Sequence, residues 1–182
     1  MTDRERLKQI ILERSYERRL VKLASGRESD FYFDGKQTTL HSEGGYLTGK
    51  LFYEAIRDVE GVQAVGGITL GADPIATATS IAAFLAGQKL HAFIIRKEPK
   101  GHGTGQWLEG RKNLPPGTRV VIVEDVVTTG GSSMKAVRRA EEEGLTVLGI
   151  VTLVDREEGG RENIEAEGYW LRTICTRSQL VA

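Results

Sequence analysis

The sequence predicts an α/β domain with a mainly parallel central sheet flanked by helices, and three observations predict it. Runs such as Val120-Val121-Ile122-Val123 and residues 147–154 are almost wholly apolar and rich in β-branched side chains, as strands buried on both faces require. Between such runs lie amphipathic stretches of helical period, for example residues 134–143, so strand and helix alternate. Charged pairs stand at the carboxyl ends of the runs, Glu124-Asp125 and Asp155-Arg156, where open parallel sheets collect their ligands. A length of 182 residues with 40% hydrophobic side chains fits one domain, residues 1–182, around one core.

Residues 2–14 set Leu7, Ile10, Ile11 and Leu12 among charges, the pattern of an amphipathic surface helix capped by Thr2. Residues 20–26 and 30–34 read as short strands joined by Gly26-Arg27-Glu28-Ser29, a hairpin-like cap. Residues 42–59 suggest a helix burying Leu47, Leu51, Phe52, Ala55 and Ile56. Residues 64–74 then read as strand, glycine-rich loop and the start of a helix reaching about Ala86, with Pro74 in its first turn.

Leu90-His91-Ala92-Phe93-Ile94-Ile95 is the next strand, and it delivers Arg96-Lys97-Glu98-Pro99-Lys100-Gly101-His102-Gly103-Thr104-Gly105. This cationic, glycine-punctuated segment lacks apolar anchors and reads as a mobile loop over about 97–110, whose cations suit a polyanion. Pro115-Pro116-Gly117 turns the chain into the central run, and the helix after it ends near Gly144. A strand over 147–154, a short helix over 160–167 and a last strand over 169–175 complete the order. Cys175 reads as a small core residue.

The central run carries the chemistry. A strand, a Thr/Gly/Ser turn and a helix start expose backbone amides to an anion, and the hydroxyls of Thr128, Thr129, Ser132 and Ser133 lie beside them. Glu124 and Asp125 would repel an anion but suit a polyol or a metal ion, so a sugar phosphate satisfies both halves. No Gly-Lys-Ser/Thr or Gly-x-Gly-x-x-Gly follows, which excludes a P-loop and a dinucleotide turn. Twenty-five basic residues balance twenty-five acidic ones, so no global field recruits nucleic acid or an anionic membrane. A single cysteine, a charged amino-terminal stretch and no long apolar run point to the cytoplasm.

Glu124-Asp125-Val126-Val127-Thr128-Thr129-Gly130-Gly131-Ser132, after four apolar residues, resembles the phosphoribosyl-pyrophosphate (PRPP) motif of the type I phosphoribosyltransferases. The resemblance implies that family's fold with a small hood, built mainly from residues 1–40 plus the carboxyl-terminal segment. It implies ribose hydroxyls on Glu124 and Asp125, with Asp125 the favoured catalytic partner, and the 5-phosphate held by Thr128, Thr129, Gly130, Gly131 and Ser132. Val126 and Val127 belong to the same PRPP-binding stretch.

The 96–103 loop is similar to that of the family's orotate-using members, and residues 23–32 to their hood. That similarity implies Arg96, Lys97, Lys100 and His102 on the pyrophosphate, with Lys100 and His102 catalytic. It also implies a loop that crosses a two-fold axis, hence a homodimer with shared active sites. Thr128 and Arg156 would bind orotate, and Thr69 to Asp73 would contact pyrophosphate and the base edge. Mg²⁺ is expected mainly on substrate oxygens. Some orotate-using members carry lysines where this chain has Ala24 and Gly71, and Lys22, on the strand face of position 24, is a candidate substitute. The implied reaction transfers the 5-phosphoribosyl group from PRPP to N1 of orotate, giving orotidine 5-phosphate and pyrophosphate for pyrimidine synthesis. A purine- or uracil-using relative, or a non-catalytic sensor controlling transcription, would keep the PRPP motif. The loop and hood argue against the first, and the neutral charge balance against the second.

Overall fold

The computed structural model describes residues 1–22, 28–99 and 106–181. Helix α1 (Asp3–Arg14) opens on a capping box, in which Thr2 accepts from the Glu5 amide and Glu5 accepts from the Thr2 amide. Its buried face carries Leu7, Ile10 and Ile11, and Arg4 and Lys8 donate to the carbonyls of Ile174 and Gln179. Strands β1 (Tyr16–Lys22) and β2 (Glu28–Phe33) pair antiparallel as a separate two-stranded sheet. Helix α2 (Lys36–Thr39) leads into α3 (Ser42–Ile56), whose amino end is capped by His41 Nδ1 accepting from the Gly44 amide at 3.2 Å.

The main body follows as β3 (Ala64–Ile68), α4 (Ala72–Leu85), β4 (His91–Ile95), β5 (Leu108–Glu109), β6 (Arg119–Val127), α5 (Gly131–Glu142), β7 (Thr146–Asp155), α6 (Gly160–Ala166), β8 (Trp170–Thr176) and α7 (Arg177–Val181). Six of these strands form one sheet in the order β5-β4-β3-β6-β7-β8, parallel throughout except for β5 at the edge. Both faces are covered, which is why the central strands read as continuous apolar runs. On one face α1, α3 and α4 pack Phe52, Ile56 and Ile75 against Val65, Val121, Val123 and Val151. On the other, α5 and α6 pack Val137, Ala140 and Ile164 against Ile122, Ile150 and Phe93. Cys175 lies in the first layer, fully buried, and burial pushes its thiol up to about 11. No helix among the described residues is long and apolar enough to cross a membrane.

The α/β class and the helix–strand alternation agree with the sequence, while several boundaries differ for physical reasons. Strand β1 begins at Tyr16 rather than at residue 20, because Glu17, Arg18 and Arg19 hide it from an apolar pattern. Glu28 and Ser29 belong to β2 rather than to a turn, and Gly26 and Arg27 lie outside the described residues. Leu108 and Glu109, inside the span expected as loop, pair with Ile95 and Ile94. Helices α2 and α7, four and five residues long, are too short for a helical period to show. Strand β6 does not stop at the carboxylates but runs on to Val127, so Glu124 and Asp125 are strand residues.

Phe52 is among the largest fully buried side chains and sits in the layer between α3 and the sheet. Phe52→Ala is expected to lower unfolding free energy by about 3–5 kcal/mol in urea titration; a loss under about 1 kcal/mol would mean that the layer closes over the gap.

Candidate active site

The crevice follows from topology. From β3 the chain moves outward to β4 in one direction, and from β6 it moves to β7 and β8 in the other. Helices from the two halves therefore leave the sheet on opposite faces, and a gap opens beyond the carboxyl ends of β3 and β6. Residues after β3 and the end of β6 line that gap.

Asp125 stands at its centre with a glycine on either side. A Cβ added to Gly35 would lie 2.7 Å from Asp125 Cβ, and one added to Gly71 would lie 2.8 Å from Asp125 Oδ1. Neither glycine needs its conformational freedom, since their φ angles are −58° and −61°. They are glycines because the carboxylate leaves no room for a side chain. Glu124 is only 7% exposed, and its Oε1 lies 3.3 Å from the Asp125 amide that donates to it. Burial first, then the neighbouring Asp125 charge, push the Glu124 carboxyl well above the usual carboxylate range.

The turn after β6 and the start of α5 supply donors. Gly130, at φ +82°, is the residue before the helix, and the first amides of α5 have no intrahelical acceptor. Thr129, Gly131 and Ser132 are exposed and Thr128 is half-buried, whereas Val127 is buried in the core. Ser133, 1% exposed, is buried where Thr129 and Ser132 are exposed. The turn is braced from α6. Asn163 Nδ2 donates to the Thr129 carbonyl at 3.0 Å, and Gly160 packs so close that a Cβ there would lie 2.7 Å from the Thr128 carbonyl oxygen.

Arg156 follows β7 directly, with its amide donating to the Val127 carbonyl at 2.9 Å. Its guanidinium is buried and pairs with Glu158 at 2.9 Å. Asp155 instead faces Arg161 at 3.5 Å, and Glu157 accepts from the Ser178 amide and hydroxyl at the start of α7. Thr69 Oγ1 donates to Asp73 Oδ2 at 2.7 Å, which ties the β3–α4 loop to its helix. Arg96 lies at the end of β4, one strand removed from β6, paired with Glu109 at 2.8 Å, and Lys97 beside it is exposed. Lys100, His102, Ala24 and the Lys22 side chain lie outside the described residues.

The structure thus places Glu124, Asp125, Val126, Val127, Thr128, Thr129, Gly130, Gly131 and Ser132 along the end of β6, its turn and the start of α5, with the Arg156 backbone on Val127 and Gly71 of the β3–α4 loop against Asp125. Sequence reasoning missed Gly35, Lys36 and Asn163. Lys36, first residue of α2, pairs with Asp34 at 2.7 Å directly beside the Gly35–Asp125 contact. Its only signal was the Asp-Gly-Lys turn closing a strand. No group of three or more His, Cys, Asp and Glu side chains gathers among the described residues. Two adjacent carboxylates nonetheless fit Mg²⁺, which commonly takes one or two carboxylates and completes its shell from water and substrate phosphates.

A profile of the phosphoribosyl transferase domain matches residues 38–171. The chain is 47% identical to an orotate phosphoribosyltransferase of Sorangium cellulosum over 99% of its own length and 94% of the relative's. It is also 47% identical to one of Aquifex aeolicus, covering 100% of this chain and 99% of that one. The Mycobacterium tuberculosis H37Rv orotate phosphoribosyltransferase, crystallised with PRPP, superposes with a TM-score of 0.83 at 38% identity over 100% of both chains.

The folded chain binds the Glu124 proton more tightly than the unfolded chain, whose value is near 4.5. The stability this contributes is full below that value and is lost as pH rises through the folded one. Without ligand, the melting temperature of the natural chain should therefore fall relative to Glu124→Gln as pH rises through the range above about 4.5. Parallel melting curves across that window would refute the burial of this carboxyl.

Proposed function

The chain belongs to the phosphoribosyltransferase family, and we propose that it transfers the 5-phosphoribosyl group of PRPP to N1 of orotate, releasing pyrophosphate and orotidine 5-phosphate. The observation that carries this reading is the crevice in which the Glu124–Asp125 carboxylates stand beside the open amides of the α5 amino end. Two full-length relatives near half identity bear the same activity in their names, which supports orotate over other bases.

In this reading Asp125, with Glu124 beside it, accepts from the ribose hydroxyls, while the amides and hydroxyls of 128–132 take the 5-phosphate. The sugar is then gripped at both ends, and its C1 is held over the crevice. As the C1–O bond to pyrophosphate breaks, positive charge builds on the ring, and orotate N1 closes on C1 from the opposite face as its N–H proton leaves to solvent. The Asp125 carboxylate favours that charge. Arg156, its guanidinium plane set by Glu158, meets the orotate carboxylate as a two-pronged donor, with Thr128 beside it. Lys100 and His102, with Arg96 and Lys97 at the loop base, hold the departing pyrophosphate, and either of the first two can protonate it. Mg²⁺ would come mainly on the substrate oxygens, with Glu124 and Asp125 the carboxylates beside it, and would supply neutralisation of pyrophosphate charge.

A second copy of the chain completes the site. Ile81, Phe84 and Leu85 are 55%, 73% and 77% exposed along one side of α4, an apolar stripe that a monomer would leave in water. The activity suits the cytoplasm, where a lone buried thiol such as Cys175 stays reduced.

Pyrophosphate release should occur with PRPP and orotate and not with uracil, adenine or hypoxanthine; release with a purine in preference to orotate would sink the assignment. In the same assay Arg156→Ala should raise the KM for orotate by about 10²-fold and that for PRPP far less, so equal losses would remove Arg156 from base selection. Sedimentation at micromolar concentration should show a dimer that Phe84→Glu converts to monomer; a natural chain that sediments as a monomer overturns the shared site.

A further inference from the structure

Lys36 answers a question of charge in the crevice. The crevice is built on two carboxylates, yet PRPP brings a 5-phosphate and a pyrophosphate into it. The 5-phosphate has the α5 amides. The pyrophosphate would lie on the β3 side of Asp125, beside the Thr69–Asp73 loop, and a cation is wanted there. Gly71 cannot carry it, since even a Cβ at that position would press on Asp125 Oδ1 at 2.8 Å. A cation that adds to those of the loop can come from the Gly35 side of Asp125, where Gly35 abuts the same carboxylate and Lys36 follows it.

We propose that Lys36 is a PRPP-binding residue, its ammonium swinging from Asp34 to the pyrophosphate of the bound substrate. The inference rests on the phosphoribosyl-transfer reading of the crevice. Three observations carry it. Lys36 sits on the β3 side: α2 packs beside α4, whose amino end is Gly71, whereas Arg156 lies past β6 at the end of β7. That placement separates a pyrophosphate-side cation from an orotate-side one.

The resting pair is also built to exchange. The Lys36 side chain is 41% exposed and Asp34 20%, so the 2.7 Å contact is worth little in water and yields readily to a multiply charged phosphate. Asp34 meanwhile keeps its shape without the ammonium, because it also accepts from the Lys36 amide and from Gln37 Nε2, both at 3.2 Å. Finally, the resting surroundings of Lys36 favour its charged form. Its hydrogen bond to Asp34 foremost, and the Asp34 and Asp125 charges after it, hold its ammonium above the ordinary lysine range.

The test is a KM split in both directions of the reaction. Lys36→Met should raise the KM for PRPP, and for pyrophosphate in the reverse reaction with orotidine 5-phosphate, by about five- to ten-fold. The KM for orotate should stay within about twofold, and Lys36→Arg should recover most of the loss. A merely structural lysine would not divide the substrates in this way, and the melting temperature of each variant checks that the fold persists. Unchanged constants for PRPP and pyrophosphate, or an orotate constant that rises as much as theirs, overturn the proposal. A natural chain that releases no pyrophosphate with orotate defeats the phosphoribosyl reading itself. An active natural chain matched by Lys36→Met defeats only the role of the lysine.

Discussion

Strands β3 and β6 are joined by a ladder only three residue pairs long, Ala64 with Val120, Val65 with Val121 and Gly66 with Ile122. Beyond it β6 continues to Val127 on the support of β7, while β3 ends at Ile68 and its chain turns away into α4. The sheet therefore parts at the one place where its connections reverse direction, and the site depends on that parting. The β6 carboxylates reach the gap because their strand runs past its neighbour. The glycine loop after β3 reaches it because the strand before it is short.

Much of this was legible in the sequence, and the legible parts share a cause. Buried parallel strands admit few residue types, so Val120 to Val123 and the run over 147–154 announced themselves, and any charge at their ends stood out against that background. Glu124, Asp125 and the Thr128–Ser132 turn were found together because they are contiguous. Gly35, Gly71 and Asp125 also form one contact, but they lie far apart in the chain. A glycine excluded from bearing a side chain by a distant carboxylate looks the same in sequence as one required by a turn. Lys36 was hidden for a related reason, since a lone lysine near a helix start is the commonest of surface features. Asn163 and Gly160 act on the turn from below, through α6, and no local pattern marks such support.

The crevice also shows how one site reconciles opposite demands. Left alone, two adjacent carboxylates in partial burial repel each other, and burial together with that repulsion raises the proton affinity of the deeper one, Glu124. Cations and hydroxyl donors arriving with substrate change that balance. The raised proton affinity of Glu124 thus eases the strain of a carboxylate pair in the empty chain. The surrounding rigidity serves the same end, because Asp125 has glycine walls and cannot turn aside.

Cys175 is the only cysteine of the chain, it is fully buried, and its thiol resists ionisation. Thiolate-seeking reagents therefore find no native target while the chain is folded. A cysteine introduced at an exposed position such as Lys97 or Pro99 becomes the sole attachment point for a fluorophore or spin probe. The protein is, in effect, already prepared for spectroscopic observation of its cationic segment, with no background thiol to silence first.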